Sequence, residues 1–108
     1  MSSDSVMATL RGFVEERDWA QFHSPSNLAK SISIEAAELL ECFQWSDDAD
    51  QVRVEAELAD VLTYCLLLAD RLHVDPDAIV LAKLEETKRK YPADSARGKS
   101  TKYDQLPD

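Results

Sequence analysis

The segment VEAELADVLTYCLLLADRL, residues 54–72, constrains the fold more than any other stretch of the chain. Wound at 100° per residue, Leu58, Ala59, Val61, Leu62, Tyr64, Cys65, Leu66, Leu67, Leu68, Ala69 and Leu72 point in almost every direction. A helix that is apolar all round needs neighbours on every side, and a chain of 108 residues has few to offer. The segment therefore predicts a helix buried partly by its own chain and partly at a subunit interface.

The rest of the chain supplies helical partners and no strand pattern. Val6, Leu10, Phe13 and Val14 recur at helical spacing and predict a helix over about 4–17, with Arg11, Glu15 and Glu16 on its other side. DWAQFHSPSN, 18–27, reads as an aromatic and polar loop whose Ser24-Pro25 pair is an N-cap followed by Pro at the first helical position. A second helix then spans about 25–44. WSDDAD breaks the pattern, and its aspartates cap a third helix over about 51–72. HVDP turns the chain, with Asp75 as N-cap and Pro76 opening a fourth helix to about residue 90. The tail, 91–108, reads as mostly irregular and concentrates Arg97, Lys99 and Lys102 with Tyr103. With only two Gly and four Pro to punctuate it, the chain is expected to be a single all-α domain, 1–108, of four-helix bundle type.

The charge balance narrows the partners. Twenty-one acids against twelve bases, net −9, argue against a polymeric nucleic-acid partner, which needs clustered Lys and Arg to displace counterions. A small phosphorylated ligand remains open if a metal ion supplies positive charge. Cys42 and Cys65 have no CxxC or HxxxH companion and read as small core residues in a reducing compartment. With no signal-like N-terminus and no membrane-length apolar run, the expected location is the cytoplasm, with no membrane partner.

Against this background the acids of helices two and three are misplaced for a solvated face. Glu35 falls within about 60° of Leu28, Ile32, Leu39 and Cys42, and Glu57 within about 60° of Val54, Val61, Tyr64 and Leu68. Glu35 and Glu38 form ExxE, Glu57 and Asp60 form ExxD, and residues three apart on a helix are neighbours. A single ExxE is most often an ordinary solvated pair. Two such pairs on consecutive helices, each inside an apolar arc, predict four carboxylates converging in a cleft, where repulsion calls for a cation. Hard oxygen ligands without imidazole or thiolate select Mg²⁺, with Mn²⁺ as the alternative. Di-iron bundles would need ExxH, and neither His23 nor His73 stands three residues after a glutamate. Glu16, Glu41 and Glu55 project away from the arcs. A divalent ion in an acidic protein suits a ligand that brings its own phosphates, and therefore phosphoanhydride hydrolysis. Glu38 is the candidate to take the proton of the attacking water.

ExxE followed about twenty residues later by ExxD, within SIEAAELLECFQW and VEAELADVLTYCLLLADRLHVD, resembles the MazG-like all-α nucleotide pyrophosphohydrolases, in particular their dCTP pyrophosphatase branch. The likeness runs from ERDWAQFHSPSNL through KYPADSARGKSTKYDQLP. It implies a helical bundle assembled as a homodimer or homotetramer that cleaves a nucleoside triphosphate to monophosphate and pyrophosphate with Mg²⁺. The preferred substrate would be dCTP or a modified dCTP, in clearing the deoxynucleotide pool. It also implies that Glu35, Glu38, Glu57 and Asp60 are metal ligands.

Asn27, Ser31, Glu38 and Trp45 fall along one strip of helix two beside the metal face, with Trp19, Phe22 and His23 just upstream. Trp19 is a candidate base-stacking residue, and the resemblance assigns His23, Asn27, Trp45 and Tyr64 to the nucleoside pocket. Phosphate contacts are expected from Lys83, from Lys88, Arg89 and Lys90, and from Arg97, Lys99 and Lys102 in the tail, with Thr87 and Tyr91 as further candidate substrate contacts. Thr87 stands where similar proteins commonly carry Asn, and its hydroxyl has a shorter reach than that amide. Two other readings stay open: a related phosphohydrolase acting on dUTP or phosphoribosyl-ATP, and a non-enzymatic helical oligomerisation module with a structural metal.

Overall fold

In a computed structural model of the chain, residues 3–106 are described; residues 1, 2, 107 and 108, which fall within the expected domain 1–108 and its tail, lie outside them. The element order is α1 (Ser3–Glu16), a 3-10 turn (Ala20–Phe22), α2 (Pro25–Glu41), α3 (Gln51–Arg71), α4 (Pro76–Lys90), a one-turn α5 (Ala93–Ala96) and a second 3-10 turn (Tyr103–Gln105). The fold is all-α, with no strand among the described residues. The chain divides into two compact units, Met1–Asp75 and Pro76–Asp108.

In the first unit α2 packs along α3, and α1 rests on α3. Its buried apolar residues come from all three helices: Met7 and Val14 on α1, Leu28 on α2 and Ala69 on α3. Arg11 ties α1 to α3 through Asp70, its Nη2 2.6 Å and its Nε 2.8 Å from the same carboxylate oxygen. Because both side chains are partly solvated, this pair is worth about 1 kcal/mol or less.

Helix ends follow their sequence signals. Ser24 caps α2 by accepting from the Asn27 amide at 3.1 Å, with Pro25 at the first helical position, and Asp50 caps α3 by accepting from the Val52 amide at 3.3 Å. α2 closes at Glu41, short of the expected 44, because the Cys42 and Phe43 amides turn back to the Leu39 and Leu40 carbonyls in tighter turns. α1 ends in a Schellman motif. Asp18 takes φ +52°, its amide donates to the Glu15 carbonyl at 3.1 Å and the Trp19 amide to the Val14 carbonyl at 3.1 Å. Asp is among the few non-glycine residues that enter this region at modest cost.

Much apolar surface of the first unit stays open: Leu40 is 70% exposed, Val52 76% and Leu62 53%. Cys65, expected in the core, is exposed, and Cys42 is half-buried. The reason lies in α3 itself: α1 and α2 cover two sides of a helix whose apolar residues point all round.

In the second unit, Lys88, Arg89 and Lys90 occupy the last turn of α4, where cations suit the negative end of the helix dipole. Ion pairs at helical spacing line its surface: Lys83–Glu86 at 3.0 Å, Lys88–Glu85 at 3.1 Å and Lys90–Glu86 at 3.4 Å. The tail, expected to be mostly irregular, contains two short turns. Ser95 and Ala96 donate to the Pro92 carbonyl, and the Tyr91 and Tyr103 rings meet edge to face with centroids 6.2 Å apart. No helix among the described residues is long and apolar enough to cross a membrane.

Candidate functional site

α2 and α3 each bring acids to the surface on which they meet. Carboxylate oxygens of Glu35, Glu57 and Asp60 lie within 4.8 Å of one another. Glu35 and Glu57 are half-buried, as their places in the apolar arcs predict, whereas Asp60 is exposed. Oε2 of Glu35 and Oε2 of Glu57 are sealed from solvent without a hydrogen-bond partner. A buried carboxylate oxygen with no donor is costly, so the trio is built for a group that is itself a strong electron-pair acceptor. Three hard oxygen donors in this spacing fit a divalent cation of the Mg²⁺ or Mn²⁺ type.

Glu38 stands outside the trio and acts on it through Glu35. The hydrogen bond between these two carboxyls is the largest cause holding the Glu35 group above the ordinary carboxylate range; burial and the negative charges of Glu38, Asp60 and Glu57 add to it. The expected quartet is thus a trio with a fourth acid beside it.

Next to Asp60 opens a cavity of about 300 Å³, walled by Leu10, Phe13 and Val14 of α1, Trp19 and His23 of the loop, and Asp60, Thr63, Tyr64 and Leu67 of α3. Its loop wall is held firmly. The Schellman turn at Asp18 brings the Trp19 ring edge-on to Phe13, centroids 5.5 Å apart at 81°, and the Arg17 guanidinium lies 3.9 Å over Phe13. Gln21 donates to the Asp18 carbonyl at 2.9 Å, and the Asn27 amide donates to the Phe22 carbonyl at 3.0 Å. Aromatic faces, an aliphatic floor and a few polar groups make this a mostly apolar, concave site of the kind that takes a small ligand, beside the acidic trio.

Trp19, His23 and Tyr64 line this cavity together with Asp60. Asn27 clasps the loop, so one end of its amide is already engaged. Trp45 lies beyond the end of α2 and is 89% exposed. In the second unit, Lys83 and Thr87 line a shallow groove with Ile79, Val80 and Leu84; the Thr87 hydroxyl donates to the Lys83 carbonyl at 3.1 Å. Tyr91 packs on Tyr103, and Arg97 and Lys102 are exposed. The contribution of α1 was not anticipated: Leu10 and Phe13 read as core positions, yet they floor the cavity. The available signal was Phe13 standing six residues before Trp19, across a helix end.

The sequence model of the MazG-like family matches residues 30–106, a span that includes all four acids. The chain is 42% identical to human dCTP pyrophosphatase 1 and 40% identical to the rat protein of that name, in each case over 105 residues covering 88% of this chain. It spans 62% of the length of these relatives. Among solved structures, a pyrophosphatase of Archaeoglobus fulgidus is similar, with 43% identity and a TM-score of 0.78 over 83% of this chain and 92% of that one.

Proposed function

The chain belongs to the MazG-like family, and we propose that it is a divalent-metal-dependent nucleoside triphosphate pyrophosphohydrolase, converting dCTP or a modified dCTP to the monophosphate and pyrophosphate. One observation carries the reading: an acidic trio with two unpartnered oxygens shares Asp60 with an aromatic cavity of nucleoside size. The names of the human and rat relatives and of the archaeal pyrophosphatase support the substrate and the reaction type.

Glu35, Glu57 and Asp60 would hold the cation, Mg²⁺ by the hardness of their oxygens, and Glu38 would complete its surroundings. Bound there, the ion would neutralise the trio and polarise the phosphate oxygens of the substrate. Trp19 and Tyr64 flank the nucleoside and His23 faces its edge, fixing the α-phosphorus near the acids. Glu38 accepts the proton of the attacking water as its oxygen bonds to the α-phosphorus; the bond to the bridging oxygen breaks and pyrophosphate leaves with that electron pair. Asn27 and Trp45 complete the proposed nucleoside contacts, and Lys83, Thr87, Tyr91, Arg97 and Lys102 of the second unit are proposed substrate contacts on the resemblance alone.

The exposed apolar residues Leu40, Val52 and Leu62 support self-association into a dimer or tetramer of bundle type. The family match crosses both compact units, which supports reading 1–108 as one functional domain, and we propose that it acts on the cytoplasmic nucleotide pool.

The test is incubation of the purified protein with Mg²⁺ and each deoxynucleoside triphosphate, resolving monophosphate plus pyrophosphate from diphosphate plus phosphate. Pyrophosphate release from dCTP, lost in Glu38→Gln with the circular-dichroism melt retained, is expected. Absence of turnover with every nucleotide while Mn²⁺ still binds would overturn the enzymatic reading in favour of a structural metal site.

A further inference from the structure

Thr63 occupies an unusual place in the cavity wall. It lies on α3 between Asp60, where the phosphates are proposed to gather, and Leu67 at the apolar end; seven residues of helix span about 10 Å, close to the length of a nucleoside monophosphate. Its Oγ1 is 2.8 Å from the Ala59 carbonyl. A carbonyl oxygen cannot donate, so the hydroxyl hydrogen is committed to it, and the oxygen offers only lone pairs to anything else. An acceptor of fixed polarity in a half-enclosed aromatic pocket discriminates between ligand groups: it attracts an N–H and repels a carbonyl oxygen.

We propose that Thr63 is a specificity-determining residue that accepts a hydrogen bond from the exocyclic amino group of the base and so selects cytosine over uracil. The inference rests on the proposed hydrolase reading and deepens it. The two pyrimidines are nearly the same size and differ at this edge by an amino donor against a keto acceptor, so shape alone separates them poorly. His23, Tyr64 and the Trp19 indole can each donate a hydrogen bond, which would not disfavour a keto group; Thr63 is the uncharged group of the cavity whose own proton is already placed.

The experiment compares kcat/KM for dCTP and dUTP in the wild type, Thr63→Val and Thr63→Ser. Valine keeps the shape and removes the acceptor, so the dCTP preference should fall about tenfold, while serine keeps it. Thr63→Ala provides the same reading should the valine variant fold poorly. An unchanged ratio in Thr63→Val overturns the proposal, and so does an equal loss for both nucleotides, which would place the hydroxyl against the sugar. Dissociation constants for dCMP and dUMP give the same ratio without turnover. A wild type that binds dCMP selectively but hydrolyses nothing would therefore sink the hydrolase reading and leave this one standing.

Discussion

In the first unit, Glu35, Glu57 and Asp60 crowd within 4.8 Å with two oxygens unpartnered, whereas in the second unit Glu86 lies between Lys83 at 3.0 Å and Lys90 at 3.4 Å. The two glutamates respond oppositely. Glu35 titrates above the ordinary range because of its hydrogen bond to Glu38, its burial and its acidic neighbours. Glu86 titrates below it because of the hydrogen bonds and charges of Lys83 and Lys90. This chain neutralises an acid with lysine at helical spacing where nothing else is wanted there. On the facing surfaces of α2 and α3 the acids have no lysine beside them among the described residues, as the proposed cation site requires.

The sharpest way to break that contrast is to remove one acid from each side. Glu57→Gln should lower pyrophosphate release by at least about a hundredfold and weaken Mn²⁺ binding in calorimetry, since it removes one of the three proposed ligands. Glu86→Gln should leave Mn²⁺ affinity at the wild-type value. Equal effects of the two changes would mean that the trio is no more a metal site than the ion-pair ladder on α4.

The same contrast has a smaller, opposite effect on the metal-free protein. For Glu35 the pKa is raised in the fold from 4.5, so its stabilising protonated form is fully present below the unfolded value and is lost as pH rises through the folded value. For Glu86 the pKa is lowered from 4.5, so its contribution is present above the unfolded value and is lost as pH falls through the folded one. In EDTA near neutral pH, Glu35→Gln should therefore melt above the wild type, with the advantage shrinking as the pH falls through the folded value toward the unfolded one. Glu86→Gln should melt slightly below the wild type at neutral pH and converge with it in acid. Saturating Mg²⁺ should cancel the Glu35→Gln advantage, because the ligand then stabilises only the intact site.

Why part of this arrangement was legible in sequence follows from helix geometry. Glu35 and Glu57 sit mid-helix, where 100° per residue is reliable, and their half-buried positions follow from their angles. The same lattice places Trp45 on the strip with Asn27 and Glu38, but α2 stops at Glu41, so that place does not follow. Asp60 lies on the open side of α3, and Glu38 contacts the trio without joining it, differences that depend on how two helices meet rather than on either alone. The open surface of α3 was visible for the opposite reason: its apolar residues already exceeded what one chain could cover.

The finest contrast lies within the cavity, between α3, which carries chemistry on its own, and α1, which shapes it through Trp19. Phe13 is 43% exposed and contributes little to the core, yet it receives the edge of Trp19 on one hand and the Arg17 guanidinium on the other. Such an aromatic pair is worth about 0.5–1.5 kcal/mol beyond burial, so Phe13→Leu should free the indole without unfolding α1. The expected result is a rise in KM for dCTP of about threefold to tenfold with kcat within about twofold, because the acids are untouched and only the seating of the nucleoside is loosened. Tryptophan emission should shift to the red at the same time. A drop in kcat with KM unchanged would mean that Phe13 orders α3 and its acids, and that the loop wall is rigid without it.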